Sequence, residues 1–264
     1  MVFTPTARRL LRPTKNEAYN HDVITVKRMG IIDKVAYSQS CRQSGVIVPY
    51  SSKGSKFNGK LYNNISRART KVKEYALSNT WDYFATLTID KTKFDRYDIK
   101  AYIKALSAFL NNYNRNGIKV LYLLIPELHK DNAIHLHGLL SGIPVNDLII
   151  NENGYLDWKP YHDKFGYISL SPIKDPLKVS NYITKYISKD MATAVKECNA
   201  HLYYCSQKLK HAERIFMATD GAFLVSPDYS SDYSKIKSID NTLYDFHDMI
   251  TAENIIYDTL SSNR

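Results

Sequence analysis

The sequence predicts an α+β protein built on a central antiparallel sheet with helices packed on it. Three observations carry that expectation. Two apolar runs, 118–126 and 133–141, flank the short polar segment Glu-Leu-His-Lys-Asp-Asn, which is the pattern of an antiparallel hairpin. The β-branched and aromatic stretch 84–89 reads as a strand. Between them Ile99, Tyr102, Ile103, Leu106, Phe109, Leu110 and Tyr113 recur at helical spacing. Strands and helices mix without the regular βαβ repeat of a parallel sheet.

Taken in order, residues 1–50 hold short candidate strands at 23–26 and 45–50, and 51–60 (SSKGSKFNGK) reads as a small, polar, basic linker. Ser66 opens a basic helix, 66–80, before the strand at 84–89. The periodic helix starts near Asp95 and stops at Asn114–Gly117. After the hairpin and a loop over 144–164, a strand is expected at 166–170 and a helix at 178–189, with Tyr182 and Tyr186 on one face. Further strands are expected at 202–207 and 215–220, and a helix near 243–260. The expected organisation is a basic extension (1–60), a core (61–225) and an acidic tail (226–264).

The 264 residues are 44% hydrophobic and 23% charged, a composition that folds rather than staying disordered. Three cysteines, Cys41, Cys198 and Cys205, cannot build a disulfide framework, so a reducing, cytoplasmic setting is expected. The longest apolar run, 120–126, is far short of the roughly 20 residues that span a bilayer, so no membrane partner is expected. Net charge is +10, and it is uneven: residues 1–60 carry 11 basic and 3 acidic side chains, and residues 61–130 carry 12 and 6. A basic half fits a polyanion, whose condensed counterions Lys and Arg displace; it equally fits a soluble, solvated surface. The 21 tyrosines add aromatic faces on which unpaired bases can stack.

Chemistry concentrates in two places. On a strand, His135 and His137 share a face while Leu136 points the other way. Paired residue numbers keep a constant sum along an antiparallel ladder, so a hairpin connection of three or five residues sets Glu127 opposite His135. Two imidazoles and one carboxylate, with the remaining positions open, suit Mg²⁺ or Mn²⁺ acting on a phosphate. His129 lies on the same face as Glu127. The second place is Tyr182-Ile-Thr-Lys185-Tyr186, where helical spacing makes the two phenols neighbours with Lys185 close to both. By itself this pattern fits a buried aromatic stripe as well as a reactive phenol helped by a cation.

The ordered set resembles the HUH endonuclease superfamily, in particular the replication initiators of small single-stranded DNA phages and rolling-circle plasmids. Phe84-Ala-Thr-Leu-Thr-Ile-Asp90 is similar to that family's first motif, His135-Leu-His137 followed by Gly138-Leu-Leu to its second, and Asn181-Tyr-Ile-Thr-Lys-Tyr-Ile-Ser-Lys-Asp190 to its tyrosine helix. The resemblance covers roughly residues 66–220. It implies an HUH nuclease fold (ferredoxin-like or RRM-like) with His-x-His on a central strand. It also implies metal-dependent cutting and rejoining of one strand of origin DNA through a covalent 5′-phosphotyrosine, which begins rolling-circle replication. In that picture Tyr182 is the nucleophile and Tyr186 a second nucleophile or a packing residue. Lys185 orients the phosphate, and His135, His137 and Glu127 hold Mg²⁺ or Mn²⁺. The implied partners are single-stranded origin DNA, presented as a hairpin or melted duplex, and a host helicase with the replication machinery.

Two other readings share residues with this one: a relaxase or transposase using the same chemistry, and a non-catalytic origin-binding protein. Cys198, His201, Cys205 and His211 lack the paired Cys-x-x-Cys of a zinc knuckle. There is no GxxxxGK[ST] phosphate loop in the sequence, so any unwinding engine is expected in a partner.

Overall fold

The computed structural model describes residues 19–42, 57–129, 131, 133–188, 201–218, 222–224, 226–232, 234–243 and 255–257. In chain order, strands β1 (Tyr19–Met29) and β2 (Ile32–Arg42) precede helix α1 (Phe57–Ser78), strand β3 (Tyr83–Thr88) and helix α2 (Ile99–Arg115). The hairpin β4 (Leu121–Leu128) and β5 (Ile134–Ser141) leads to β6 (Leu148–Ile150), β7 (Leu156–Trp158), α3 (Lys159–Phe165), β8 (Ile168–Pro172) and α4 (Pro176–Ile183). Then come β9 (Tyr204–Cys205), β10 (Glu213–Ala218), β11 (Ala222–Leu224), β12 (Tyr229–Ser230), β13 (Ser234–Asp240) and β14 (Ile255–Tyr257). The fold is α+β, with two large antiparallel sheets in two units, Gly54–His211 and Met1–Lys53 with Ala212–Arg264.

In the Gly54–His211 unit seven strands pair in the order β6-β7-β8-β3-β5-β4-β9. Side-chain alternation gives this sheet two different faces. On one, Ala85, Leu87, Leu124, Leu136 and Leu140 pack against Tyr102, Leu106, Phe109 and Leu110 of α2 and Tyr161 and Phe165 of α3. On the other, Leu123, Ile125 and Leu139 meet Ile65, Ala68 and Val72 of α1 and Ile183 of α4. That second apolar patch gives way along β3, β4 and β5 to Thr86, Thr88, Glu127, His135 and His137, so the polar groups line up where the apolar cover ends.

Local chemistry explains the main boundaries. The Asp98 carboxylate accepts from the N–H groups of Lys100 and Ala101 at 3.0 Å each and caps α2. Gly117, at φ +80°, turns the chain out of its far end. Helix α1 begins at Phe57, nine residues before the expected Ser66, so 57–60 are helix rather than linker. Asn58 and Gly59 fall in the first turn, where N–H groups lack intrahelical partners in any case, so weak helix formers cost little there. The helix expected over 178–189 is shorter: α4 ends at Ile183 and a 3₁₀ turn, Thr184–Tyr186, takes over. The Thr184 hydroxyl donates to the Asn181 carbonyl at 2.8 Å, a side-chain bond that competes with helix continuation.

The other unit holds a five-stranded antiparallel sheet, β10-β1-β2-β13-β12, over a core of Ile24, Val26, Val35 and Leu224. Strand β2 pairs with β13 from Ile32↔Asp240 to Ser38↔Ser234. Parts of the expected basic extension and acidic tail are thus neighbours in one sheet. Pairing between strands some two hundred residues apart leaves no local pattern to read. The strand expected at 45–50 and most of 243–260 lie outside the described residues; 255–257 is a strand paired with β11.

One glycine carries a strong packing constraint. A Cβ on Gly138, the residue after His137, would sit 2.2 Å from the Leu123 carbonyl oxygen and 2.9 Å from the Leu124 Cα. Both are backbone atoms of the neighbouring strand and cannot swing aside. Gly138→Ala is expected to destabilise the chain by about 3 kcal/mol or more, at the upper end of overpacking costs. A thermal melt of purified Gly138→Ala within about 1 °C of wild type would refute this.

Candidate active site

Register builds the site. Along β4 and β5, Glu127 pairs with His135 and Ile125 with His137, joined through residues 129–133. On the other side of β5, Thr88 pairs with His135 and Thr86 with His137. Each threonine hydroxyl meets the Nδ1 of its histidine, Thr86 at 3.1 Å and Thr88 at 3.3 Å. Fixing Nδ1 orients both rings and leaves each Nε2 as the outward group. His137 Nε2 faces a Glu127 carboxylate oxygen at 2.5 Å, and the His129 ring stacks on His135 with centroids 4.4 Å apart.

The tyrosines come to the same place. Tyr186 lies nearly parallel on the His137 ring, with centroids 4.1 Å apart and planes at 12°. Its hydroxyl donates to the Tyr182 oxygen at 2.9 Å. Lys185 holds its ammonium 5.5 Å from the centre of the Tyr182 ring, a cation–π distance. Phe84 braces the group, edge-on to Tyr182 at 5.4 Å and stacked with Tyr186 at 6.2 Å. All six expected site residues, Glu127, His135, His137, Tyr182, Lys185 and Tyr186, therefore meet in one region.

Electrostatics divide the labour. Burial pushes His135 below the usual imidazole value, helped by the positive charges of His129, His137 and Arg96 and opposed by Glu127. Burial likewise lowers His137, against the upward pull of Glu127. Both rings favour the neutral form, which is the form that binds a cation. Tyr186 is driven well above the usual phenol value, by burial first, then by its bond to Tyr182 and the charges of Tyr182 and Glu127. Its proton stays on, and it donates. Tyr182 is 45% exposed and receives that bond, so a DNA strand can reach its oxygen.

A divalent ion is implied by the resemblance, and the donor chemistry fits one: two oriented imidazoles offering Nε2 and one carboxylate on a single sheet face. As the side chains stand, no three His, Cys, Asp or Glu among the described residues are grouped as a ready cage; Glu127 closes on His137 instead.

Sequence reasoning missed three contributors. Thr86 and Thr88 were read only as part of a strand motif, and Phe84 only as a strand residue. The alternation Phe-x-Thr-x-Thr was the available signal, since it puts all three on one face. A fourth is Arg69 of α1, whose Nε donates to the Ile187 carbonyl at 2.9 Å and ties down the backbone one residue past Tyr186. No sequence pattern links positions so far apart.

Residues 82–191 match the replication-associated protein ORF2 family. The matched segment holds every site residue above except Arg69, and it agrees with the resemblance to rolling-circle initiators carried by the motifs. It covers under half of the chain, leaving α1 and the five-stranded sheet outside it. Comparisons with curated proteins and with solved structures gave no match. No helix among the described residues is long and apolar enough to cross a membrane.

Within this replication-associated region the anchoring of Tyr186 is open to a direct test. Arg69→Met keeps the aliphatic stem and removes a charged donor to a backbone carbonyl, a bond worth about 1.5–3 kcal/mol. The expected result is a melting point lowered by several degrees together with a slower cleavage rate at unchanged DNA affinity. Equal loss of affinity and rate would show that Arg69 acts on the DNA rather than on the tyrosine segment.

Proposed function

We propose that this chain cuts and rejoins one DNA strand through a covalent tyrosine link and thereby starts rolling-circle replication. The observation that carries the reading is the stack of Tyr186 on His137, with its hydroxyl bonded to Tyr182 beside Glu127. A purely structural aromatic stripe would not require the phenols to meet a polar, oriented histidine pair.

In this reading Tyr182 Oη attacks the scissile phosphorus. The Oη–P bond forms as the P–O3′ bond breaks; the phenolic proton passes to water and the departing O3′ takes one up. The product is a 5′-phosphotyrosine and a free 3′-OH, and the phosphodiester energy is kept for rejoining. Tyr186 donates to Tyr182 Oη and so steadies the charge that develops there. Lys185 adds a positive charge on the same phenol. His135, His137 and Glu127 hold Mg²⁺ or Mn²⁺, which when bound polarises the phosphate as a Lewis acid. Thr86 and Thr88 keep the imidazoles oriented. After one cleavage, Tyr186 offers a second phenol a hydrogen bond away from the first, which suits alternate cutting and joining as a replication round closes.

The deciding experiment mixes the protein with single-stranded DNA carrying the origin and with Mg²⁺ or Mn²⁺, then separates products under denaturing conditions. A protein–DNA adduct whose peptide maps to Tyr182 or Tyr186 is the expected result. Failure to form any adduct on a library of single strands would overturn the proposal.

A further inference from the structure

The five-stranded sheet has one face occupied by the core of Ile24, Val26, Val35 and Leu224. Its other face presents a row of cations. Lys27 pairs with Arg214 on β10 and with Lys34 on β2, and Lys34 pairs with Ser238 on β13. Directly opposed residues of antiparallel strands point the same way, so Arg214, Lys27 and Lys34 stand side by side on three adjacent strands. The row contains no acid. Asp240, diagonal to Lys34 on the same face, has a carboxylate oxygen engaged by the N–H and hydroxyl of Thr242. The equivalent row on the opposite face is built differently: Glu213, Arg28 and Asp33 alternate in sign, and Arg28 grips Asp33 at 2.7 Å.

Like charges set opposite one another on a sheet are unfavourable, and a polyanion laid along the row relieves that repulsion. The span of the three across two strand gaps is about 10 Å. Successive phosphates of a DNA strand advance about 3.4 Å each along the helix axis, so the row matches about three consecutive phosphates. The neighbouring row on this face, Met217, Thr25, Ala36, Ile236 and Tyr229, is uncharged, with Met217 37% and Tyr229 57% exposed at its two ends. A basic line beside an uncharged one suits a strand backbone with its sugars alongside.

We infer that this face binds the phosphate backbone of duplex DNA through Arg214, Lys27 and Lys34, and so provides a DNA contact separate from the tyrosine site. The choice of DNA as the polyanion rests on the proposed nicking reaction; the binding itself needs no cleavage.

The test uses the full chain and a short duplex of mixed sequence, with affinity measured over a range of salt. The triple variant Lys27→Gln, Lys34→Gln, Arg214→Gln should bind more weakly, with the slope of log K against log salt reduced by about three, one per lost phosphate contact. Each single substitution should remove about one, which keeps the test valid should the triple variant fold poorly. A charge-matched control on α2, Lys100→Gln, Lys104→Gln, Arg115→Gln, should leave the slope near wild type. Equal slopes for the row variant and the control would overturn the inference, as would a row variant weakened for RNA but not for DNA. Adduct formation on a short single strand serves as the separate readout. Its absence in wild type, with the slope effect intact, would sink the nicking reaction and leave the basic face standing.

Discussion

Tyr182→Phe is expected to abolish covalent attachment to single-stranded origin DNA, lowering the adduct rate by on the order of 10³-fold or more, the scale of losing a nucleophile. The substitution removes one oxygen and keeps the ring, so the edge-on contact with Phe84 and the cation–π contact with Lys185 survive. Stability should barely move, because the oxygen belongs to a half-exposed residue. Tyr186→Phe should behave differently. It removes the donor to Tyr182 Oη but leaves the stack on His137, so first cleavage should slow by about 10-fold, the worth of one hydrogen bond to a charge-bearing group. Rejoining to a second strand should be hit harder, since it calls on the second phenol. Denaturing gels with single- and double-cleavage substrates separate the two effects. Should Tyr182→Phe retain a wild-type adduct while Tyr186→Phe loses it, the roles are reversed, and the more shielded phenol is the nucleophile.

The tyrosine pair was legible because it depends on local spacing. Tyr182 and Tyr186 remain neighbours even though a 3₁₀ turn replaces the last helical turn, since both geometries keep residues four apart on nearby faces. Glu127 beside His135 was legible for a different reason: antiparallel pairing obeys a simple arithmetic, and the polar segment between the two apolar runs limits the loop lengths to a few. The threonine partners were not, because the pairing of β3 with β5 joins residues some fifty positions apart and nothing in either segment names the other. The same limit hid the five-stranded sheet. Strand β1 shows its apolar residues plainly, yet its membership of a sheet with β13 is decided by tertiary packing, which composition described only as a basic beginning and an acidic end. Charge totals averaged over windows also concealed the sharper feature, that Lys27, Lys34 and Arg214 are brought into a row from both ends of the chain.

His137→Ala should have the second large effect, and it tests the metal part of the reading. His137 contacts Thr86, Glu127 and Tyr186 together, so it is the residue through which the strand face and the tyrosine segment communicate. Losing a ligand for an ion that stabilises several kcal/mol of transition-state charge should cost about 10²–10³-fold in adduct rate. Alanine also deletes the surface on which Tyr186 stacks, so a loss of rate alone would be ambiguous. Thr86→Val resolves this: the shape is kept, the ring and its stack stay, and only the hydroxyl at Nδ1 goes. Its expected cost is about 10–100-fold in Mn²⁺ affinity, the usual loss when an outer partner to a ligating histidine is removed. Saturating Mn²⁺ should then restore most of the Thr86→Val rate and none of the His137→Ala rate. Calorimetric Mn²⁺ titration beside the adduct assay gives both numbers. If Mn²⁺ binds His137→Ala as tightly as wild type, the imidazole pair is not the cation site, and Glu127 and His137 are a proton-sharing pair that supports the tyrosines by packing alone.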